Sequence, residues 1–497
     1  VQINWVDTTF LLAPEILLTV GALIVLVFDL FIEDDTSPIL PGFTFLVLVS
    51  ALAAAAAHAV LGVNDVALFM FAADPLTHFF RLLGIGAALL VLLVSVNYVQ
   101  ARSKHTGEFY SLLLWVTLAV VLVAGAHDLI LLYLAFEFLS ITSYVLVGWL
   151  RDDTRSNEGA MKYLLFGAIS SAIMLYGMSL LYGATGTTRL TEIAAFFLQP
   201  ETQITGLYSM VIPALVFLLA GIGFKISLVP FHQWAPDAYE GAPTPVAAFL
   251  SVGSKGAGFA VLSRVLLEAM PAFQEHWTSL LVVLSILTMT LGNLVALRQT
   301  NMKRLLAYSS IAQAGYILMG LAAYTAGAPF PADGLSGVLV YLVAYLFTNV
   351  GVFIGAVIFE QATGSVAISD YAGLVRRSPW LAFTFVVFFL SLAGLPPTAG
   401  FVGKLAVFYA TVAKGLYFLA IIGVLNSVVS VYYYFNVIRQ MFFMPAPEGA
   451  ERVRFPASMG LALAISFVGT LLIGFYPEPF LNLANMSRDF ISALPLL

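Results

Sequence analysis

No cysteine occurs among the 497 residues, so this chain carries no disulfide, no thiolate-held zinc and no ordinary iron–sulfur cluster. Charge is scarce too. Asp, Glu, Lys and Arg make up 10% of the residues, against roughly 25% in soluble domains. The formal balance of −6 contains no basic run, and nothing in it points to nucleic acid. The six histidines, at 58, 78, 105, 127, 232 and 276, fall at no metal-ligand spacing. Basic residues are missing before Arg81, so the N-terminal stretch lacks the positive region of a cleaved signal peptide, and its first apolar run reads as a retained span.

What is abundant is hydrocarbon. With 61% hydrophobic residues and a mean hydropathy of +0.98, the chain reads as an all-α polytopic membrane protein with one membrane domain. Fourteen apolar segments can be marked: 11–32, 39–60, 75–97, 109–126, 128–149, 158–183, 208–235, 244–268, 278–297, 304–325, 336–361, 380–412, 414–442 and 458–475. The turn Gly125-Ala126-His127-Asp128 divides a run too long for one helix. With the N-terminus outside, the inside loops hold twelve basic residues (Arg102, Lys104, Arg151, Arg155, Arg298, Lys303, Arg304, Arg376, Arg377, Arg439, Arg452 and Arg454). The outside segments hold three, Arg189, Lys414 and Arg488. The positive-inside bias therefore places both termini on the outer face, the periplasm in a bacterium. Trp5, Trp149, Trp277 and Trp380 fall at segment ends, where an interfacial girdle is expected.

Six basic residues remain inside apolar segments: Arg81, Lys162, Lys225, Lys255, Arg264 and Lys404. Arg81 and Arg264 stand near segment ends, where snorkelling accounts for them. Lys225, Lys255 and Lys404 stand deeper, and an ammonium at a helix centre costs about 2.5 to 3.5 kcal/mol even on the lenient insertion scale. Lys162 is intermediate, about 7.5 Å of helix from Asn157. Among the acids, Glu137 lies about nine residues, roughly 14 Å, from Asp128, near the middle of a ~30 Å core. A structural ion pair would account for it, but intramembrane acids usually mark ion or proton relays.

The two deepest features repeat. Lys225 precedes Pro230 in the seventh segment, and in the twelfth Gly394, Pro396, Pro397 and Gly400 interrupt the helix before Lys404. Two broken, lysine-bearing helices five segments apart run in opposite directions across the membrane, the arrangement of an inverted repeat. Unwound backbone at that depth persists only where protein or cavity water satisfies it. These features point to an ion pathway.

The strings FKISLVPFHQWAPDAYEGAPTPVAAFLSVGSK at 224–255, MKRLLAYSSIAQAGYILMGL at 302–321 and SLAGLPPTAGFVGKLAVFYA at 391–410 resemble the antiporter-like subunit N of bacterial respiratory complex I. This is the type of mitochondrial subunit 2 and of its plastid and cyanobacterial counterparts. RSNEGAMKYLLFGAISSAIMLYGMSLLYG at 155–183 and NSVVSVYYYFNVIR at 426–439 extend the resemblance over most of the chain from about residue 75. It implies fourteen helices: a three-helix segment in 1–108, inverted five-helix repeats in 109–268 and 278–442, and a C-terminal helix and tail in 443–497. It also implies a proton relay of Glu137, its partner Lys225, Lys255, Lys404 near the exit, and Lys162. His232 beside the helix break is a candidate relay group or a satisfied structural imidazole, and Tyr308, Ser309, Ser310 and Gln313 are candidates to support water between the lysines.

By the same resemblance this chain holds no cofactor or metal. FMN, iron–sulfur clusters and quinone belong to partner subunits, reached through adjacent antiporter-like and small helical membrane-arm subunits and the peripheral redox arm. The chain itself would lie in the bacterial inner membrane as a non-redox subunit of a proton-pumping NADH-quinone oxidoreductase. A subunit of a multi-chain sodium/proton antiporter and a purely structural membrane-arm subunit are the alternatives.

Overall fold

The computed structural model describes residues 5–32, 37–199, 208–488 and 490. Along the chain run α1 (Trp5–Leu11), α2 (Ala13–Asp29), α3 (Ile39–Leu61), a short hairpin of β1 (Asp65–Ala67) and β2 (Phe71–Ala73), α4 (Pro75–Gln100), α5 (Thr106–Ala124), α6 (Leu129–Val147), α7 (Thr154–Thr185) and α8 (Leu190–Leu198). There follow α9 (Tyr208–Ile226), α10 (Trp234–Gly241), α11 (Thr244–Phe249), α12 (Lys255–Arg264), α13 (Gln274–Ala296), α14 (Met302–Ala322) and α15 (Leu335–Thr363). The last are α16 (Leu374–Arg377), α17 (Pro379–Ala393), α18 (Ala399–Ala413), α19 (Tyr417–Phe443), α20 (Ala457–Phe475) and α21 (Glu478–Arg488). A π-helical turn, Leu250–Ser254, joins α11 to α12, and a second, Val265–Ala269, extends α12.

Among the described residues, eleven helices are long and apolar enough to cross a membrane, or twelve if α1 and α2, bent by 77°, form one span. Met210–Ile226, α17 and α18 are shorter apolar helices. The divided run ends as expected: Ala124 closes α5, and Asp128 caps α6 by accepting from Ile130 N–H at 2.8 Å.

Burial sorts the helices by role. The apolar windows of Thr244–Ala269, α14 and α15 are 100%, 94% and 94% buried, so these three form the centre, whereas α7 at 33% presents Leu164, Leu165 and Ile169 outward. Lipid offers no hydrophobic drive between helices, so close approach depends on small residues. A Cβ at Gly292 would lie 2.6 Å from Ala312 N, which is how α13 packs against α14.

Two sequence expectations fail here. Arg81 and Arg264 do not snorkel; each is fully buried, and each is held by carboxylates inside the bundle. Trp149 and Trp277 do not belong to an interfacial girdle either. Both are buried, and the Trp277 indole donates to Met270 O at 3.1 Å; Trp5 and Trp380 are exposed. Position along a segment did not reveal the depth set by neighbouring helices and by the loops folded over them.

Candidate functional site

Both broken helices are seen, and each break has its own chemistry. Ser227, at φ +62°, stops α9 two residues beyond Lys225, and Leu228 N–H turns back to Gly223 O at 2.7 Å. The Trp234 indole then takes Phe224 O at 2.8 Å, satisfying a carbonyl that the interrupted helix frees. In the second break Gly394, at φ +84°, ends α17, and Leu395 N–H returns to Leu390 O at 3.0 Å. Here the neighbouring free carbonyl, Ala393 O, accepts from Lys404 Nζ at 2.9 Å.

Lys225, Lys255 and Lys404 are all buried. The Lys225 ammonium lies 5.4 Å from the Phe136 ring centre and 5.5 Å from that of Tyr163, with the Tyr163 hydroxyl at 3.4 Å. Tyr163 in turn stacks on Trp234, the rings 4.0 Å apart. Glu137, beside Phe136 on α6, is half-buried, and among the described residues no ion pair joins it to Lys225. One Glu137 carboxylate oxygen is buried without a hydrogen-bond partner among the described residues. Gly258 brings α12 against this site: a Cβ there would collide with Ile226 Cγ2 and lie 3.5 Å from Lys225 Cγ.

Lys255 begins α12 directly after the first π turn and donates to Ser310 O at 2.7 Å and Ser310 Oγ at 2.6 Å. From there α14 carries a polar line. Ser309 Oγ meets Tyr434 OH at 2.5 Å, and Gln313 Nε2 donates to Leu392 O at 2.9 Å while its carbonyl accepts from Tyr341 OH. Tyr316 places its ring 4.5 Å from Lys404 Nζ, and its hydroxyl accepts from Asn293 Nδ2 at 3.1 Å. Ser309, Gln313 and Tyr316 follow i, i+4, i+7 spacing and so share one face of α14. That face reaches the second break, while the adjoining Ser310 holds Lys255.

The remaining candidates lie elsewhere. Lys162 is not enclosed with the other lysines; its half-exposed ammonium pairs with Glu158 at 2.6 Å and Asp237 at 2.7 Å. Asp237 also holds Arg304 at 2.7 Å, and Arg304 holds Glu240 at 2.8 Å, tying α7, α10 and α14 around a cavity of about 220 Å³. Burial alone would raise the Asp237 pKa, but hydrogen bonds from Lys162 and Arg304 hold it below the ordinary carboxylate value. His232 lies half-buried within the first break, its Nδ1 without a side-chain partner among the described residues. Tyr308 is half-buried and packs against the apolar core. Pro230, Pro396 and Pro397 occupy the breaks, with cis peptide bonds at Val229–Pro230 and Pro396–Pro397. Among the described residues no group of three or more His, Cys, Asp or Glu side chains could hold a metal ion.

The family described as "NADH:quinone oxidoreductase/Mrp antiporter, TM" matches residues 126–430. NAD(P)H-quinone oxidoreductase subunit 2 of Gloeobacter violaceus is 44% identical, with 95% of this chain and 91% of that protein covered. NADH-quinone oxidoreductase subunit N of Trichlorobacter lovleyi is 42% identical, with 96% of each covered. The chain belongs to this subunit N/2 family. Among solved structures, a chain of respiratory complex I from Thermus thermophilus with bound aureothin is similar, at 33% identity and a TM-score of 0.79, covering 94% of this chain and 98% of that one.

For a subunit N/2 chain, sequence reading missed Asn293, Tyr316, Tyr341 and Tyr434, which complete the polar line. Two signals pointed to them: a lone Asn in the apolar helix α13, and the polar stripe of α14. It also missed the carboxylates Glu15, Asp74 and Glu268, which pair with Arg81 and Arg264. Buried arginines require such partners.

Proposed function

We propose that this subunit N/2 chain moves protons across the membrane by the relay Glu137, Lys225, Lys255 and Lys404, with the α14 line of Ser309, Ser310, Gln313 and Tyr316 between the last two. The observation that carries this reading is that buried polar residues of α14 hold Lys255 through Ser310 and, one turn on, reach Leu392 O beside the second helix break through Gln313, where Lys404 caps a freed carbonyl. A lysine whose neighbouring negative charge withdraws gives up its proton more readily. Glu137, next in sequence to the Phe136 ring that lies 5.4 Å from Lys225 Nζ and not paired with the lysine, suits a switch of that kind. Lys162 and the Asp237–Arg304 network lie at the mouth of the inner side, one residue from Tyr163, and act there as an entry group.

The same reading takes the α1–α2 pair, α9 with the turn that follows it, and α17 with α18 as single broken spans, giving fourteen spans. It includes inverted repeats at 109–268 and 278–442 and both termini on the periplasmic side of a bacterial inner membrane. Matched breaks at Ser227 and Gly394 and the arginine-rich loops support it. Each proton moved against 100 mV costs about 2.3 kcal/mol. We assign that energy to NADH oxidation and quinone reduction in partner subunits that carry FMN and iron–sulfur clusters, reached through the neighbouring membrane-arm subunits.

Lys225→Ala tests this in the assembled complex. Normal assembly with proton pumping abolished is expected. Loss of the assembled complex without a specific pumping defect would make the lysines structural. Isolation of the native complex without FMN and iron–sulfur partners would overturn the assignment of the driving reaction.

A further inference from the structure

Where the N-terminal helices meet the C-terminal ones, α3 and α20 stand on either side of a groove floored by α4 and α15, and every side chain lining it is apolar. The groove holds about 450 Å³. Leu90 and Leu346 in its floor are buried, whereas Phe45 on one rim and Ile465 on the other are exposed, so it opens sideways. Along α4 the lining runs from Phe79 to Leu93, about 21 Å at helical rise. Spread over that length, the volume leaves a cross-section of about 20 Å², whereas a helix 10–12 Å across fills about 80–110 Å². One hydrocarbon chain fits, and a helix of a neighbouring subunit does not.

Gly86 keeps the floor clear. Beyond its own stretch of helix a Cβ there would meet only Leu346 Cδ2, at 3.8 Å, so α4 leaves space that a side chain would fill. Apolar walls with nothing against them forfeit dispersion contacts, and a groove without polar groups holds no water, so its occupant is hydrocarbon. The two ends differ. At one, Phe480 and Leu483 of α21 close over the groove. At the other, one turn beyond Leu93, Asn97 Oδ1 accepts from Ser458 Oγ at the start of α20 at 3.3 Å, and Asn97 O accepts from Gln361 Nε2 at 3.4 Å. Arg454, four residues before Ser458, is exposed and makes no ion pair among the described residues. An unpaired guanidinium beside a helix end complements a negatively charged headgroup.

We infer that this groove binds one acyl chain of an anionic phospholipid, with the phosphate at the Asn97 and Arg454 end. The open end receives the headgroup, and α21 stops the chain at the other. The lipid thereby ties the N-terminal helices α3 and α4 to α15 and α20, by contacts that are independent of the lysine relay.

The test places the whole complex in vesicles of phosphatidylcholine and phosphatidylglycerol in equal amounts, with a trace of either lipid carrying a photoactivatable group in its acyl chain. Labelled peptides are identified by mass spectrometry. Peptides holding Leu89 and Ile465 are expected to be labelled, and to favour phosphatidylglycerol by about fivefold, the weight of one basic residue beside an anionic headgroup. Other labelled peptides of the complex supply the bilayer reference. Gly86→Leu should remove the groove label, and Arg454→Gln should remove only the preference. In wild-type complex, a groove preference equal to the reference would overturn the proposal and leave ordinary bilayer lipid there. Absence of groove label would overturn it too, and so would capture of a neighbouring subunit by a photoactivatable residue placed at Leu89. The wild-type comparison decides the matter even where Gly86→Leu complex fails to assemble.

Discussion

Lys255 donates from one ammonium to both the main-chain carbonyl and the hydroxyl of Ser310, at 2.7 and 2.6 Å, so one residue of α14 takes two of its three hydrogens. The relation fixes the amine at the start of the polar line. It follows that Ser310→Ala removes one charge-assisted hydrogen bond, worth about 1.5–3 kcal/mol, and leaves the carbonyl contact. Proton pumping by the assembled complex should fall by about tenfold or more, with Ser310→Thr restoring most of it; equal rates in wild type and Ser310→Ala would remove Ser310 from the line.

The second break depends on two glycines for different reasons. Gly394 has φ +84°, and a Cβ there would lie 2.6 Å from Lys404 Cδ. At Gly400 a Cβ would collide with Ser391 O, a backbone atom that cannot swing away. Gly394→Ala should cost about 1–2 kcal/mol in the left-handed conformation and displace Lys404, slowing pumping in complex that still assembles. Gly400→Ala should lower the amount of assembled complex, as measured by native gel electrophoresis.

Arg81 is a clean test of buried pairing. It donates to both Glu15 oxygens at 2.8 Å and to Leu11 O at 2.9 Å, with His58 and His78 on its remaining nitrogen. Arg81→Leu leaves a buried carboxylate unpaired and should destabilise by about 3–5 kcal/mol. The double variant Arg81→Leu/Glu15→Leu should recover much of that loss, as read from the thermal unfolding midpoint of the purified complex; a double variant as damaged as the single would show that the pair is needed for more than charge balance.

Asp237 gives a pH signature. Its pKa is lowered in the folded chain by Lys162 and Arg304, so its contribution to stability is fully present above the ordinary carboxylate pKa of about 3.9 and is lost as pH falls through the lower folded value. Asp237→Asn should therefore be less stable than wild type by a constant margin between about pH 5 and 7, narrowing only below about pH 4. A margin that already shrinks between pH 7 and 5 would rule out a lowered Asp237 pKa as its source.

Much of this architecture was legible in the chain itself. Long apolar runs have one stable solution in lipid, so α4, α5, α6, α14 and α15 were found at nearly their observed bounds, and the division before Asp128 followed from a run too long for one helix. Pro230 and the Gly394–Gly400 stretch announced the breaks, because neither continues a helix. Lys225, Lys255 and Lys404 stood out because an ammonium in an apolar run demands an explanation.

Partners and depth were not legible. A sequence shows that Arg81 and Arg264 stand near segment ends, but whether they reach water depends on what α2, α8 and the adjoining loops lay over them. The structure buries both and supplies Glu15, Asp74 and Glu268 from distant positions. Likewise Lys162 pairs with Glu158 and Asp237 because α7 lies at the edge of the bundle. The sequence by itself determined that this chain crosses a membrane with lysines at broken helices, because local hydropathy and backbone chemistry are properties of short stretches. Only the tertiary structure decided which charges meet, because hydrogen bonds at 2.6 to 3.1 Å join residues tens to hundreds of positions apart.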